Sequence, residues 1–198
     1  MLALTRNEVR TINFLLRNFT ERFSINQLAK RVSLSPKGAY RIVKKLEQLR
    51  ILKPEAIGNA LYYRANLDEE IGRKTAELVL TDKELNPYAR VQAKDFEALR
   101  PYTTSALLFG SVLSKAEKAG DIDVLLVLES KQFGKVHEVL KELQSIKPKR
   151  IGEMLQSKED MVRNFKKRDV PLLDAVRTGQ VLWGADVIVE AIRIDANR

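Results

Sequence analysis

The chain opens with apolar residues at helical spacing. Val9, Ile12, Leu15, Leu16 and Phe19 recur every three or four positions, and Thr5 stands three residues before Glu8 in the capping-box pattern, so a first helix starts there. Ser24 and Gln27 repeat that spacing ahead of a short second helix, whose one apolar stripe is Ile25, Leu28, Ala29 and Val32. Ser33 and Leu34 leave room only for a tight connection. Ser35 then caps a third helix with Pro36 in its first position, and Ala39, Ile42, Val43, Leu46 and Leu49 form its inward face. Ile51, Leu52 and Lys53 predict a strand, PEAIGNA a turn, and LYYRANL a returning strand.

Helical spacing resumes in LDEEIGRKTAELVL and again over residues 85–99, with a break near Asn86 and Pro87. After Tyr102 the pattern changes to compact apolar runs, SALLFG and IDVLLVL, which suit strands buried inside a sheet. A helix over residues 131–146 carries Phe133, Val136, Val139, Leu140 and Leu143 inward. RIGEMLQ predicts a third strand, Ser157 opens another capping pattern, and two helices lead to the short strand VLW and Gly184. The expected organisation is an α+β domain over residues 1–66, a helical connector over 67–100, and a mixed α/β domain over 101–198.

Composition narrows the class. With 44% hydrophobic and 31% charged residues the chain is neither disordered nor membrane-spanning. No run approaches the roughly 20 apolar residues of a spanning helix. Arg6, Glu8 and Arg10 interrupt the apolar positions of the amino terminus, unlike a secretory signal. A cytoplasmic protein without a membrane partner is expected. The absence of cysteine excludes disulfides, thiolate metal sites and a cysteine nucleophile.

Charge separates the two halves. Residues 1–66 hold 13 Lys and Arg against 4 Asp and Glu, whereas the remainder holds 22 against 22, so the whole excess of +9 lies in the first third. That distribution implies a dedicated polyanion-binding module. The outward positions of the third helix, Lys37, Tyr40, Arg41, Lys44 and Lys45 behind the leading Ser35, are the candidate contacts to double-stranded DNA. A short helix, a tight turn and a basic helix make the helix-turn-helix plan, in which leading residues reach base edges in the major groove. With its two following strands the segment resembles the winged helix-turn-helix domain of MarR-like and related prokaryotic regulators. That resemblance implies a homodimer on a palindromic site, with the connector helices as the dimer contact.

The second domain carries different chemistry. Asp121 and Asp123 lie two apart at the head of an apolar strand, so both carboxylates leave the same face. Such a pair suits magnesium, which takes one or two protein carboxylates and leaves water and phosphate to complete its shell. Gly110 and Ser111, closing the preceding strand, let backbone approach a triphosphate while the hydroxyl hydrogen-bonds to it. LLFGS, a loop, and DIDVLLVL together resemble the nucleotidyltransferase fold shared with polymerase beta and the minimal nucleotidyltransferases; LDAVRTGQVLWG resembles the closing helix and strand of small members. The resemblance implies that Gly110 and Ser111 bind a nucleoside triphosphate. It also implies that Asp121, Asp123 and a third carboxylate hold the catalytic metal.

The one acid on RIGEMLQ is Glu153, the candidate for that third position, while the family pattern sets Gly152 there. A shift of one residue decides which side chain faces the aspartates. Where the family's loop has an arginine-glycine pair, and a serine before the first aspartate, this chain has Ser114, Lys115 and Gly120; Lys115 and Lys118 offer point charges to phosphate. His137, the one histidine, sits beside an apolar stripe and reads as surface; Trp183 and Phe109 read as core; residues 166–169, KKRD, read as a solvated helix end.

Two functions fit these parts. One is a DNA-binding transcriptional regulator whose nucleotidyltransferase-like domain senses or acts on a nucleotide. The other is an active magnesium-dependent enzyme transferring a nucleoside monophosphate from NTP to a hydroxyl, of the toxin-antitoxin type among its forms.

Overall fold

The structure, a computed structural model, describes residues 3–82 and 84–196. The chain divides into two compact units, one ending at Leu80 and the other spanning Thr81–Ala196. Among the described residues there are ten α-helices and two sheets, and no helix is long and apolar enough to cross a membrane.

The first unit is built from local signals. Helix α1 (Arg6–Arg17) starts at a reciprocal capping box: Glu8 N donates to Thr5 Oγ1 at 3.4 Å, and Thr5 N donates to Glu8 Oε2 at 2.8 Å. Helix α2 (Ile25–Arg31) repeats the arrangement with Ser24 and Gln27. Helix α3 (Pro36–Gln48) begins where Gly38 N donates to Ser35 Oγ at 3.1 Å. The turn from α2 to α3 closes on Ser33, whose φ is 56°, with Leu34 N donating to Ala29 O at 2.8 Å. Strands β1 (Leu52–Ile57) and β2 (Ala60–Ala65) then form an antiparallel hairpin closed by two residues.

Ile12 and Leu15 of α1, Leu28 of α2, Val43 and Leu46 of α3, and Tyr63 of β2 converge on one core. Helix α4 (Glu70–Thr81) adds Val79 to it. Helix α5 (Pro87–Phe96) instead places Ala89 and Phe96 in the core of the second unit. The helices expected as a connector are therefore shared out, because each has an apolar face for a different core.

The second unit is a four-stranded mixed sheet with helices on both faces. Its order is β5-β4-β3-β6, from β3 (Ser105–Phe109), β4 (Asp121–Val127), β5 (Arg150–Gln156) and β6 (Gln180–Trp183). β3 runs antiparallel to β4 and to β6, while β4 and β5 are parallel. A short helix α6 (Val112–Lys115) follows β3, and the crossover from β4 to β5 is α7 (Phe133–Ile146). On one face Val136 and Leu140 of α7, with Phe96 and Leu99, cover Ile122, Val124 and Leu126. On the other, α8 (Lys158–Lys166) packs on β5, and α9 (Val170–Thr178) and α10 (Ala185–Ala196) pack on β3. Covering both faces explains why β4 reads as a continuous apolar run rather than an alternating one.

One close approach fixes the end of this sheet. Gly184 has φ +67°, and a side-chain carbon there would collide with the carbonyl oxygen of Thr104 and the backbone of Ser105. Gly184→Ala therefore combines left-handed strain with overpacking and is expected to cost roughly 3 kcal/mol. Trp183 is the one tryptophan and belongs to this unit, so the urea midpoint of its fluorescence, lowered in the variant, checks the prediction.

Candidate functional site

Two sets of residues carry chemistry, one in each unit. On α3 the apolar positions Ala39, Val43 and Leu46 are buried, which turns Lys37, Tyr40 and Arg41 outward. Tyr40 is 52% exposed. Neither Lys37 nor Arg41 forms an ion pair among the described residues. These two cations and the phenol between them are in the first half of a helix that starts with a capped turn.

The other three expected DNA contacts are committed to the fold. Ser35 Oγ accepts from Gly38 N as the cap of α3. Lys44 pairs with Glu47 of its own helix at 2.6 Å, and Glu47 also accepts from the Tyr63 hydroxyl at 3.3 Å, tying α3 to β2. The Glu47 hydrogen bond raises the Lys44 ammonium; burial first, then the Glu47 charge, raises the Tyr63 phenol. Lys45 reaches Glu8 of α1 at 2.7 Å, and the Glu8 side chain is only 5% exposed. Burial opposes ionisation of Glu8, but hydrogen bonds from Lys45 and from the Thr5 backbone together outweigh it and hold its pKa below the usual carboxylate range. Lys45 thus satisfies a buried acid from another helix, a role that an outward-facing position on α3 does not reveal.

In the second unit the sheet register decides the geometry. Phe109 at the end of β3 pairs with Asp123 of β4, and Gly110 follows with φ +77°. Asp121 and Asp123 alternate with the buried Ile122 and Val124, so both leave the face that carries α8, α9 and α10. Across the parallel pair Asp123 lies beside Gly152, and Val124 lies beside Glu153. Glu153 therefore faces the α7 side. There it lines a cavity of about 410 Å³ with His137, Lys141 and Arg150. The structure brings Asp121, Asp123, Gly110 and Gly152 together and separates Glu153 from them. Among the described residues no three His, Cys, Asp or Glu side chains are grouped to hold a metal ion.

Asp123 is seated between two glycines. A side-chain carbon on Gly110 would run into its Oδ2, and one on Gly152 would run into its Oδ1. Burial first, and the charge of Asp121 second, push its carboxyl above the ordinary range. Among the described residues neither aspartate has a hydrogen bond or an ion pair to offset that repulsion. Two adjacent acids without a cation partner are a donor set of hard oxygens. The Ser111 side chain makes no capping hydrogen bond at the start of α6, which leaves its hydroxyl free to donate to a ligand.

Sequence reasoning missed the residue that fixes the intervening loop. Lys149, just before β5, donates to the carbonyl oxygens of Glu117 and Ala119, the latter at 2.7 Å, and sits 4.9 Å from the Tyr88 ring. Its contacts are to backbone carbonyls about 30 residues away, and no spacing in the sequence encodes them. Lys115 and Lys118 remain exposed on the same loop.

No protein-family description and no curated protein matches the sequence. Among solved structures, a mutant of Lactococcus lactis ZitR is similar over 52% of this chain and 64% of its own, at 14% identity and a TM-score of 0.34. This chain thus spans less than two thirds of that protein's length. A likeness this slight bears on neither fold nor function.

Proposed function

We propose that the chain is a DNA-binding transcriptional regulator whose second unit is a nucleotidyltransferase-like domain that binds a nucleotide without transferring it. The observation that carries the first half is the free leading face of α3. Lys37, Tyr40 and Arg41 are exposed, while the same helix is held from behind by Val43, Leu46 and the pair of Lys45 with Glu8. A helix so anchored presents its first turns to the major groove without reorganisation. Lys37 and Arg41 supply phosphate or base-edge hydrogen bonds, and the Tyr40 ring with its hydroxyl fills the space between them.

The second half rests on Asp121 and Asp123. Two carboxylates fit a magnesium ion that arrives with a nucleotide, because the phosphates and water complete its shell. That ion would supply charge neutralisation to the phosphates. Gly110 allows the backbone to approach them, Ser111 donates its hydroxyl, and Lys115 and Lys118 add positive charge. With Gly152 rather than Glu153 beside Asp123, Glu153 is not placed to take up the proton of an attacking hydroxyl, and no third acid joins the two aspartates among the described residues. The competing reading, an active transferase, draws its support from the same unpaired aspartates.

Selection from a random duplex library tests the regulator directly. The native chain is expected to enrich a defined sequence, with log affinity falling linearly as log salt rises. Equal affinity for all duplexes, or no binding at about 0.15 M salt, would remove the regulator reading.

A further inference from the structure

The loop between Ser111 and Asp121 is held in one shape by residues outside it. From the start of α5, Asn86 Nδ2 donates to Val112 O at 2.9 Å and to Leu113 O at 3.1 Å. At the other end Lys149 Nζ donates to the carbonyls of Glu117 and Ala119, the residues on either side of Lys118, and lies 4.9 Å from the Tyr88 ring. Ala119 itself is buried in the core of the unit.

Between these ties the backbone is strained. Ala116 has φ 48° and ψ −123°, a combination that glycine adopts readily and a residue with a Cβ rarely does. Such a conformation persists only where its surroundings over-determine it. Two charge-assisted hydrogen bonds from one ammonium are a strong tie, and they occupy Lys149 with backbone rather than with a ligand. Lys118 is the opposite case, exposed and without a hydrogen bond or ion pair among the described residues.

We infer that Lys149 is a positioning residue of the nucleotide site: it latches the strained loop so that Lys118 is presented to the phosphates of a nucleotide at Ser111, Asp121 and Asp123. The inference rests on reading that site as one for nucleotides. Lys149 does not touch the ligand, and acts through the backbone on either side of Lys118. With that backbone fixed beforehand, less conformational freedom is lost when a phosphate arrives, and the difference appears as affinity. Ala116 sets the sense of the coupling. Without the latch its backbone relaxes toward an ordinary φ, and Lys118 moves with it.

Titration calorimetry of the full chain with magnesium and ATP, GTP, CTP or UTP reads the affinity, and trypsin cleavage after Lys115 and Lys118 reads the loop. Lys149→Met keeps the length of the side chain and removes the ammonium. It is expected to weaken binding about tenfold and to speed cleavage at both lysines by a similar factor. Lys118→Ala is expected to weaken binding to the same extent, and the double variant to bind within about twofold of either single one, because both changes remove one interaction. Ala116→Gly, which relieves the strain, is expected to return most of the affinity lost in Lys149→Met. A purely structural lysine would instead lower the urea midpoint of Trp183 emission and leave the affinity of the folded protein unchanged. Where Lys149→Met does not fold, Lys149→Gln, which still donates to one carbonyl, is read in the same way. A native chain that binds none of the four nucleotides removes the reading of the site, and this role with it. A native chain that binds, with Lys149→Met binding equally well, overturns the positioning role alone. So do losses at Lys149 and Lys118 that multiply, or a glycine at 116 that rescues nothing.

Discussion

Replacement of Lys37 and Arg41 by alanine is expected to lower DNA affinity on the order of 100-fold and to reduce the salt slope by about two. Each side chain is an exposed cation near the start of α3 without an ion-pair partner, so its loss removes a contact to DNA and little from the fold. A phosphate contact contributes about 0.9 to the slope of log affinity against log salt, whereas a base-edge contact contributes to discrimination between sequences. The two measurements together therefore assign each residue. Lys45→Ala is the informative comparison. It strands the buried Glu8 carboxylate and is expected to destabilise the first unit by about 1 to 3 kcal/mol, with a smaller effect on the DNA affinity of the folded fraction. Affinity unchanged in the Lys37 and Arg41 variant would mean that α3 is not the recognition helix.

Replacing Asp121 and Asp123 together by asparagine is expected to abolish magnesium-dependent nucleotide binding, a loss of at least about 100-fold. Asparagine keeps the shape between Gly110 and Gly152 but removes the charge that holds a divalent cation. Burial first, and the charge of Asp121 second, raise the Asp123 carboxyl, and the amides remove both ionisable groups; circular dichroism of the variant checks that it is folded, so that the loss is one of binding. Titration calorimetry with each of the four NTPs, with and without magnesium, reads this effect. Incubation with labelled NTP and cell extract reads transfer, and none that depends on the aspartates is expected. Aspartate-dependent labelling would overturn binding without transfer and establish the active enzyme. Binding that persists in the variant would place the nucleotide elsewhere.

These expectations differ in how far they were visible before folding. The caps at Thr5, Ser24 and Ser35 were legible because a capping side chain acts on a backbone N–H two or three residues away. The strands SALLF and DIDVLLV were legible for a related reason: burial on both faces leaves an unbroken apolar run. Lys44 and Lys45 were legible as outward-facing and basic, but not as paired. Glu47 lies three residues from Lys44 and could have been noticed, whereas Glu8 lies 37 residues from Lys45 and on another helix.

The question left open by RIGEMLQ shows where local reasoning stops. Its strand character follows from composition, but the face of each residue depends on which atom of β4 it sits beside. Parallel pairing sets Gly152 beside Asp123 and turns Glu153 to the α7 side. Sequence by itself determined the helix caps, the basic face of α3, the apolar strands and the pairing of two aspartates on one face, because all of these are set by period and near neighbours. Only the tertiary structure decided which cations are free, that α4 and α5 serve different cores, and that Glu153 is turned away from the aspartate face. Those outcomes depend on contacts between residues far apart in the chain, and no local period carries them.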